Sequence, residues 1–125
     1  VVEDDPDNAR LVEYILRREG YEVVVAGTAE TAIEVSTGAT TTDPFALVVT
    51  DLVLPGIDGL ELARALRAIE PDLPMIAMTA HSTPDHADRA RSLGLSEYLH
   101  KPLMAHALVR SVRRALQQAE RGVLA

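Results

Sequence analysis

Three consecutive acids, Glu3, Asp4 and Asp5, a further acid at Asp51, a hydroxyl at Thr79 and the only lysine, Lys101, are the side chains whose types suggest chemistry. Carboxylates gathered in one small volume repel each other. Their pKa values rise, and they cost stability unless a cation neutralises them. Oxygen ligands without cysteine or clustered histidine favour Mg²⁺, with Mn²⁺ as the near alternative. A hydroxyl and an ammonium beside such acids would offer donors to an anion. Phosphoryl transfer onto a carboxylate uses all four kinds of group, because charge on the transferring oxygens must be balanced by metal and fixed donors. Asp51 is the nucleophile this arrangement selects. An acyl phosphate there would replace one negative charge by about two.

Taken singly, each residue has a plainer reading: an acid at a strand end is a solvated loop residue or a helix cap, a threonine is a cap, and a lysine is a surface charge. What weighs against these readings is convergence, which depends on the elements that carry the residues. Val1-Val2 reads as a short strand, and residues 7–16 have helical spacing with Leu11, Ile15 and Val12 facing inward. Gly20 suits a left-handed cap, and Tyr21–Ala26 reads as a buried strand. Thr28 can cap a helix from Ala29 to about Ser36, followed by a polar loop to Pro44. Phe45–Thr50 is a continuous apolar run that ends at Asp51, as in a central parallel strand. Beyond it the pattern predicts a helix over Gly59–Ile69, a strand over Pro74–Met78, a helix over Pro84–Leu93, a strand over Glu97–Leu99 and a last helix from Ala105 to about Glu120.

Five strands alternating with five helices imply one α/β domain over residues 1–125, a parallel sheet with helices on both faces and right-handed crossovers. Ligands of such sheets bind outside the carboxyl ends of the strands, where strand order reverses. Glu3-Asp4-Asp5, Asp51, Thr79-Ala80 and Lys101-Pro102 follow the first, third, fourth and fifth strands. Acid, acid, hydroxyl and ammonium therefore meet at one edge.

Composition narrows the function classes. A formal net charge of -7 disfavours direct nucleic-acid binding, which needs clustered Lys and Arg. The absence of cysteine excludes disulfides and thiolate sites. No apolar run approaches the roughly 20 residues of a membrane helix, and the acidic start is unlike a signal peptide. A cytoplasmic chain with no membrane contact is the expectation.

Glu3-Asp4, Asp51 within Thr50–Gly59, Thr79-Ala80 and Lys101-Pro102 together, in this order, resemble the receiver domains of bacterial two-component response regulators across essentially the whole chain. The resemblance implies a flavodoxin-like, doubly wound five-stranded parallel sheet of order 2-1-3-4-5 with five helices, a (βα)5 fold. It implies that Asp51 accepts a phosphoryl group from a sensor histidine kinase or histidine phosphotransfer protein and loses it to water, so that the chain is a phosphoacceptor switch and not an enzyme acting on outside substrates. By the same resemblance Asp4 and Asp51 ligate Mg²⁺ directly, Glu3 acts through water, and the Val53 backbone carbonyl adds an oxygen. Thr79, Lys101 and the Ala80 backbone N–H hold the phosphoryl oxygens. Tyr98 takes the aromatic switch position, turning inward as Thr79 moves. Lys101–Pro102 is a cis peptide bond that aims the ammonium into the site. The face formed by the fourth helix, fifth strand and fifth helix carries the signal to an output domain or effector, often through phosphorylation-dependent dimerisation. Relatives often carry Asp in place of Glu3, many have Phe in place of Leu103, and His81 stands at a variable position. They usually begin several residues earlier, so the first strand looks clipped.

Other readings remain open. A haloacid-dehalogenase-type phosphatase wants a second acid two residues after its nucleophile, where Val53 stands. A flavodoxin-like nucleotide module wants a Gly- or Ser/Thr-rich loop after the first strand, where this chain has three acids. A receiver serving only as an interaction module would not need Thr79 and Lys101 with those acids. Tyr98 also fits a sheet-edge ring with a wet hydroxyl. Pro55-Gly56 and Gly59 fit a sharp turn. His86, His100 and His106 read as solvent-facing, and His86, Asp88, Arg89, Arg91, Arg110 and Arg113 as the signal face or as ordinary solvated helix surface.

Overall fold

Alternate residues of the central strands feed two different cores. The computed structural model describes residues 1–38, 45–54, 56, 58–80, 88, 90–95 and 97–124. Among these, β1 (Val48–Asp51), β2 (Met75–Thr79) and β3 (Glu97–His100) form a parallel sheet in the order β1-β2-β3. Every residue of β1 and β2 is buried, as expected for strands covered on both faces. Val48, Met75 and Ala77 pack with residues of α2 (Ala29–Gly38) and α3 (Gly59–Ile69). Val49, Ile76 and Met78 pack against α1 (Pro6–Arg18) and α4 (Ala105–Leu124), through Val12, Ile15 and Leu16 on one helix and Leu108, Val112 and Ala115 on the other.

The ladder continues beyond β1 by single parallel bridges, Val2 to Thr50 and Val2 to Ala26. Val2 N donates to Val49 O at 2.8 Å and Asp51 N donates to Val2 O at 2.9 Å. On the other side Glu3 N reaches Ala26 O at 3.0 Å, and Ala26 N reaches Val1 O at 2.8 Å. Val2 therefore lies between Ala26 and β1, with Glu3 emerging beside Asp51.

Local sequence explains the helix ends. Asp5 caps α1, its carboxylate accepting from Asp7 N at 3.1 Å, and Pro6 opens the helix where its missing N–H costs nothing. Thr28 Oγ1 accepts from Thr31 N at 3.1 Å and caps α2. Gly20 has φ +93°, the left-handed conformation expected after α1. Arg67 of α3 spends its donors on backbone carbonyls of two neighbouring turns: Leu93 O at 3.1 Å, Gly94 O at 2.6 Å and Pro71 O at 2.8 Å.

Several expectations need correction. Tyr21–Ala26 does not form a buried strand. Among the described residues only Ala26 bridges, with Val2 as its partner, and Val24 and Val25 are exposed at this margin of the sheet. Leu11 points outward and lines, with Tyr14 and Val109, an open groove between α1 and α4, while Val12, Ile15 and Leu16 fill the core. The apolar run before Asp51 enters the ladder only at Val48. Of the helix expected over Pro84–Leu93, Asp88, Ala90, Arg91 and Ser92 are helical, and residues 84–87 and 89 lie outside the described residues, as do His81, Pro55 and residues 39–44 of the expected loop. No helix among the described residues is long and apolar enough to cross a membrane.

Candidate functional site

The two-sided pairing of Val2 sets the site, because it delivers Glu3 and Asp51 side by side at the carboxyl end of the sheet. Both are buried, whereas Asp4 is exposed. One carboxylate oxygen from each of Glu3, Asp4 and Asp51 can be chosen so that all lie within 4.8 Å of one another.

Lys101 inserts its ammonium among these acids. Its Nζ donates to Asp51 Oδ2 at 2.6 Å and lies 3.1 Å from Glu3 Oε1 and 2.9 Å from Glu3 Oε2. The backbone holds it there. Lys101 follows β3 directly, and its N–H donates to Thr79 O at 2.8 Å. The Lys101–Pro102 peptide bond is cis. Thr79 is fully buried at the end of β2, and Ala80 follows at the surface.

A single ammonium cannot neutralise two buried carboxylates. Burial raises the Glu3 pKa above its ordinary value. The Lys101 hydrogen bond opposes this, and the neighbouring Asp51 charge adds to it. For Lys101 burial works downward, but hydrogen bonds to Asp51 and Glu3 outweigh it and the ammonium holds its proton more tightly than usual. The group as it stands retains excess negative charge.

The loop after Asp51 folds back on itself. Val53 N donates to Asp51 Oδ1 at 2.9 Å, Val53 bridges Asp58, and Gly59 N donates to Leu52 O at 3.0 Å. Asp58 then caps α3 by accepting from Leu60 N at 2.9 Å. A Cβ at Gly59 would collide with the Leu52 Cα and stand 2.7 Å from Asp51 O and from Leu52 O. Close backbone approach, beyond turn formation, explains this glycine.

Tyr98 lies beside the α2/α3 core, with its ring edge-on to His100 at 5.6 Å between centroids. Its hydroxyl is buried and has no hydrogen-bond partner among the described residues, so the wet sheet-edge reading does not hold. His100 and His106 are exposed, as are Asp88, Arg91, Arg110 and Arg113.

The structure thus gathers Glu3, Asp4, Asp51 and Lys101, ties Lys101 to Thr79 through the backbone, and puts the half-exposed Val53 against Asp51 through its amide. Sequence reading missed Asn8, whose Nδ2 donates to Glu3 Oε2 at 3.0 Å. The available signal was its position three residues after the cap Asp5, where a side chain reaches back over the helix start. The donor set, carboxylates alone with one lysine, fits a hard divalent cation such as Mg²⁺.

Comparison with known proteins agrees with this geometry. A family model described as "Response regulator receiver domain" matches residues 1–113. The C4-dicarboxylate transport transcriptional regulatory protein DctD of Rhizobium meliloti is 34% identical over 92% of this chain and 24% of its own length. The response regulator protein FleR of Pseudomonas aeruginosa is 36% identical over 91% of this chain and 23% of its own. The chain therefore spans about a quarter of the length of these two relatives. The crystal structure of a CheY-like receiver domain protein from Methanospirillum hungatei superposes with a TM-score of 0.89 at 26% identity, covering 97% of this chain and 94% of that one. On the family match, and on the acidic site at the carboxyl ends of a parallel sheet, the chain belongs to the response regulator receiver domain family.

Proposed function

We propose that this receiver domain is a phosphoacceptor switch in which Asp51 takes a phosphoryl group from the phosphohistidine of a sensor histidine kinase or phosphotransfer protein. The observation that carries the reading is Lys101 Nζ set between Asp51 and Glu3, with Asp4 alongside, at the carboxyl end of the sheet. A carboxylate oxygen of Asp51 attacks phosphorus, the P–N bond breaks, and the imidazole keeps the electron pair. Water later attacks phosphorus, the P–O bond to Asp51 breaks, and inorganic phosphate leaves with the carboxylate restored.

The chain's own residues divide this work. Lys101 moves from the carboxylates towards the phosphoryl oxygens, where its charge is conserved and its partner changes. Thr79 and the Ala80 N–H supply further donors. Asp4, Asp51, the Val53 carbonyl and, through water, Glu3 would hold Mg²⁺ or Mn²⁺. When bound, the ion offsets charge on the transferring oxygens.

Thr79 and Tyr98 transmit the change. The Tyr98 hydroxyl, without a partner among the described residues, suits a ring with a second position available, a two-state element of the kind switching requires. The readout is the face formed by the expected fourth helix, β3 and α4, acting on an output domain or effector, with phosphorylation-dependent dimerisation as one route. The Val2 bridges support a five-stranded sheet of order 2-1-3-4-5 in a single domain over 1–125.

The test is phosphorylation by a small-molecule acyl phosphate with Mg²⁺, followed by mass spectrometry. The parent gains one phosphoryl group and Asp51→Asn gains none. Persistent labelling of the variant at another residue would overturn the assignment.

A further inference from the structure

Glu3 is held more closely than a carboxylate at a strand end requires. Oε1 accepts from Asp5 N at 3.2 Å and lies 3.1 Å from Lys101 Nζ. Oε2 accepts from Asn8 Nδ2 at 3.0 Å and lies 2.9 Å from the same ammonium. Two of these donors belong to the start of α1 and two contacts to Lys101.

The α1 donors are fixed by that helix. Asp5 is its cap and Asn8 lies in its first turn, three residues on. In the usual reciprocal cap the side chain three residues into the helix reaches back to the cap N–H. Here Glu3, outside the helix, takes the cap N–H, and Asn8 turns its amide to the other oxygen of the same carboxylate. An ionised carboxylate only accepts, so the Asn8 amide must present its nitrogen.

A glutamate has one more rotatable bond than the aspartate that often occupies this place in receiver domains. Without restraint its carboxylate would sample orientations facing away from Asp4 and Asp51. We infer that Asn8 is a positioning residue that fixes the Glu3 carboxylate for cation binding, compensating in this chain for the longer acid. When Lys101 withdraws, Asn8 and Asp5 N still hold the plane of the carboxylate from the helix side. The lone pairs that Lys101 occupied then face the other acids. The inference rests on the metal-binding reading proposed above.

The test is calorimetric titration of Mg²⁺ alone into the parent, Asn8→Ala, Asn8→Leu, Glu3→Asp and the double variant Glu3→Asp/Asn8→Ala, with Asp51→Asn as the site control. Removing a hydrogen-bond partner of a metal-binding group weakens affinity by about ten-fold or more. Asn8→Ala and the nearly isosteric Asn8→Leu should each show about that loss while metal-free thermal unfolding stays close to the parent's. In the Glu3→Asp background, where the shorter acid falls short of Asn8, adding Asn8→Ala should change affinity by less than about twofold, the spread of independent sites.

If Asp51→Asn weakens Mg²⁺ binding but Asn8→Ala does not, the positioning role is wrong and the metal site stands. Equal losses in both backgrounds would also overturn it, since the effect would not pass through Glu3. If the parent does not bind Mg²⁺, or Asp51→Asn binds it as tightly as the parent, the site reading falls and the inference with it.

Discussion

Lys101 Nζ and Asp51 Oδ2 are 2.6 Å apart, although fifty residues separate them in sequence, and the lysine side chain retains only 19% exposure. The ammonium stands where a divalent cation would face the same carboxylates. On the metal-binding reading proposed above, the ion and Lys101 would compete for Asp51 and Glu3.

Lys101→Met tests this competition. Breaking a fully buried pair by deleting one partner costs about 3–5 kcal/mol, and the residual exposure here reduces that to about 1–3 kcal/mol. Without metal, urea denaturation should show that loss. Saturating Mg²⁺ should restore more stability to the variant than to the parent, because no lysine has to be displaced. An equal Mg²⁺ response in both proteins would argue against a shared seat.

The pH dependence of stability follows from Glu3. Its folded-state pKa is raised, chiefly by burial, so the folded protein holds this proton more tightly than the unfolded chain. Its contribution to stability is fully present below the ordinary value of 4.5 and is lost as pH rises through the folded-state value. Lys101, also raised, keeps its contribution below 10.5 and loses it only at higher pH. Metal-free denaturation measured upward from pH 4.5 should show a declining contribution in the parent that Glu3→Gln removes. A slope unchanged by Glu3→Gln would place the titrating group elsewhere.

Gly59→Ala should disturb the loop that carries Asp51. The added methyl meets backbone atoms of Leu52 and Asp51, which cannot yield as a side-chain tip can. A loss of about 1–3 kcal/mol is expected from overpacking. Gly56→Ala offers a contrast: nothing lies near its Cβ, and the cost comes only from φ +81°, about 1–2 kcal/mol. Thermal melts with phosphorylation assays should find Gly59→Ala impaired in both and Gly56→Ala mainly in stability.

Tyr98→Phe should not destabilise the unphosphorylated protein. A buried donor without a partner costs about 1–3 kcal/mol, and the substitution removes it while keeping the ring beside His100. Denaturation should show equal or higher stability. A loss above about 1 kcal/mol would mean that the hydroxyl is satisfied.

What was legible in the sequence was what periodicity and strand ends encode. The helix over Gly59–Ile69 was readable from its pattern, and the four motif positions fell at the carboxyl ends of the first, third, fourth and fifth expected strands. Less legible was anything set by tertiary placement. The Val23-Val24-Val25 run reads as buried, but its position at the sheet margin leaves two of the three exposed. Leu11 satisfies helical spacing as well as Val12 does, and the crossing of α1 and α4 decides between them. Asn8 stands three residues after its helix cap, but only the folded structure shows that the acid it reaches back to is Glu3.

The alternation along β2 has a consequence for how this site tolerates change. Ala77 faces the α2/α3 core, so Thr79, two residues on, shares that face, and Tyr98, paired with Ala77, packs there too. Hydroxyl and ring keep company because Thr79 and Ala77, the register partner of Tyr98, both stand an even number of residues from Met75. Exchanging one apolar residue for another leaves that arithmetic intact. A single-residue insertion or deletion within Met75–Met78 reverses it, sending Thr79 to the α1/α4 side while Tyr98 stays behind. The strand can drift in composition, then, but its length is held to a count.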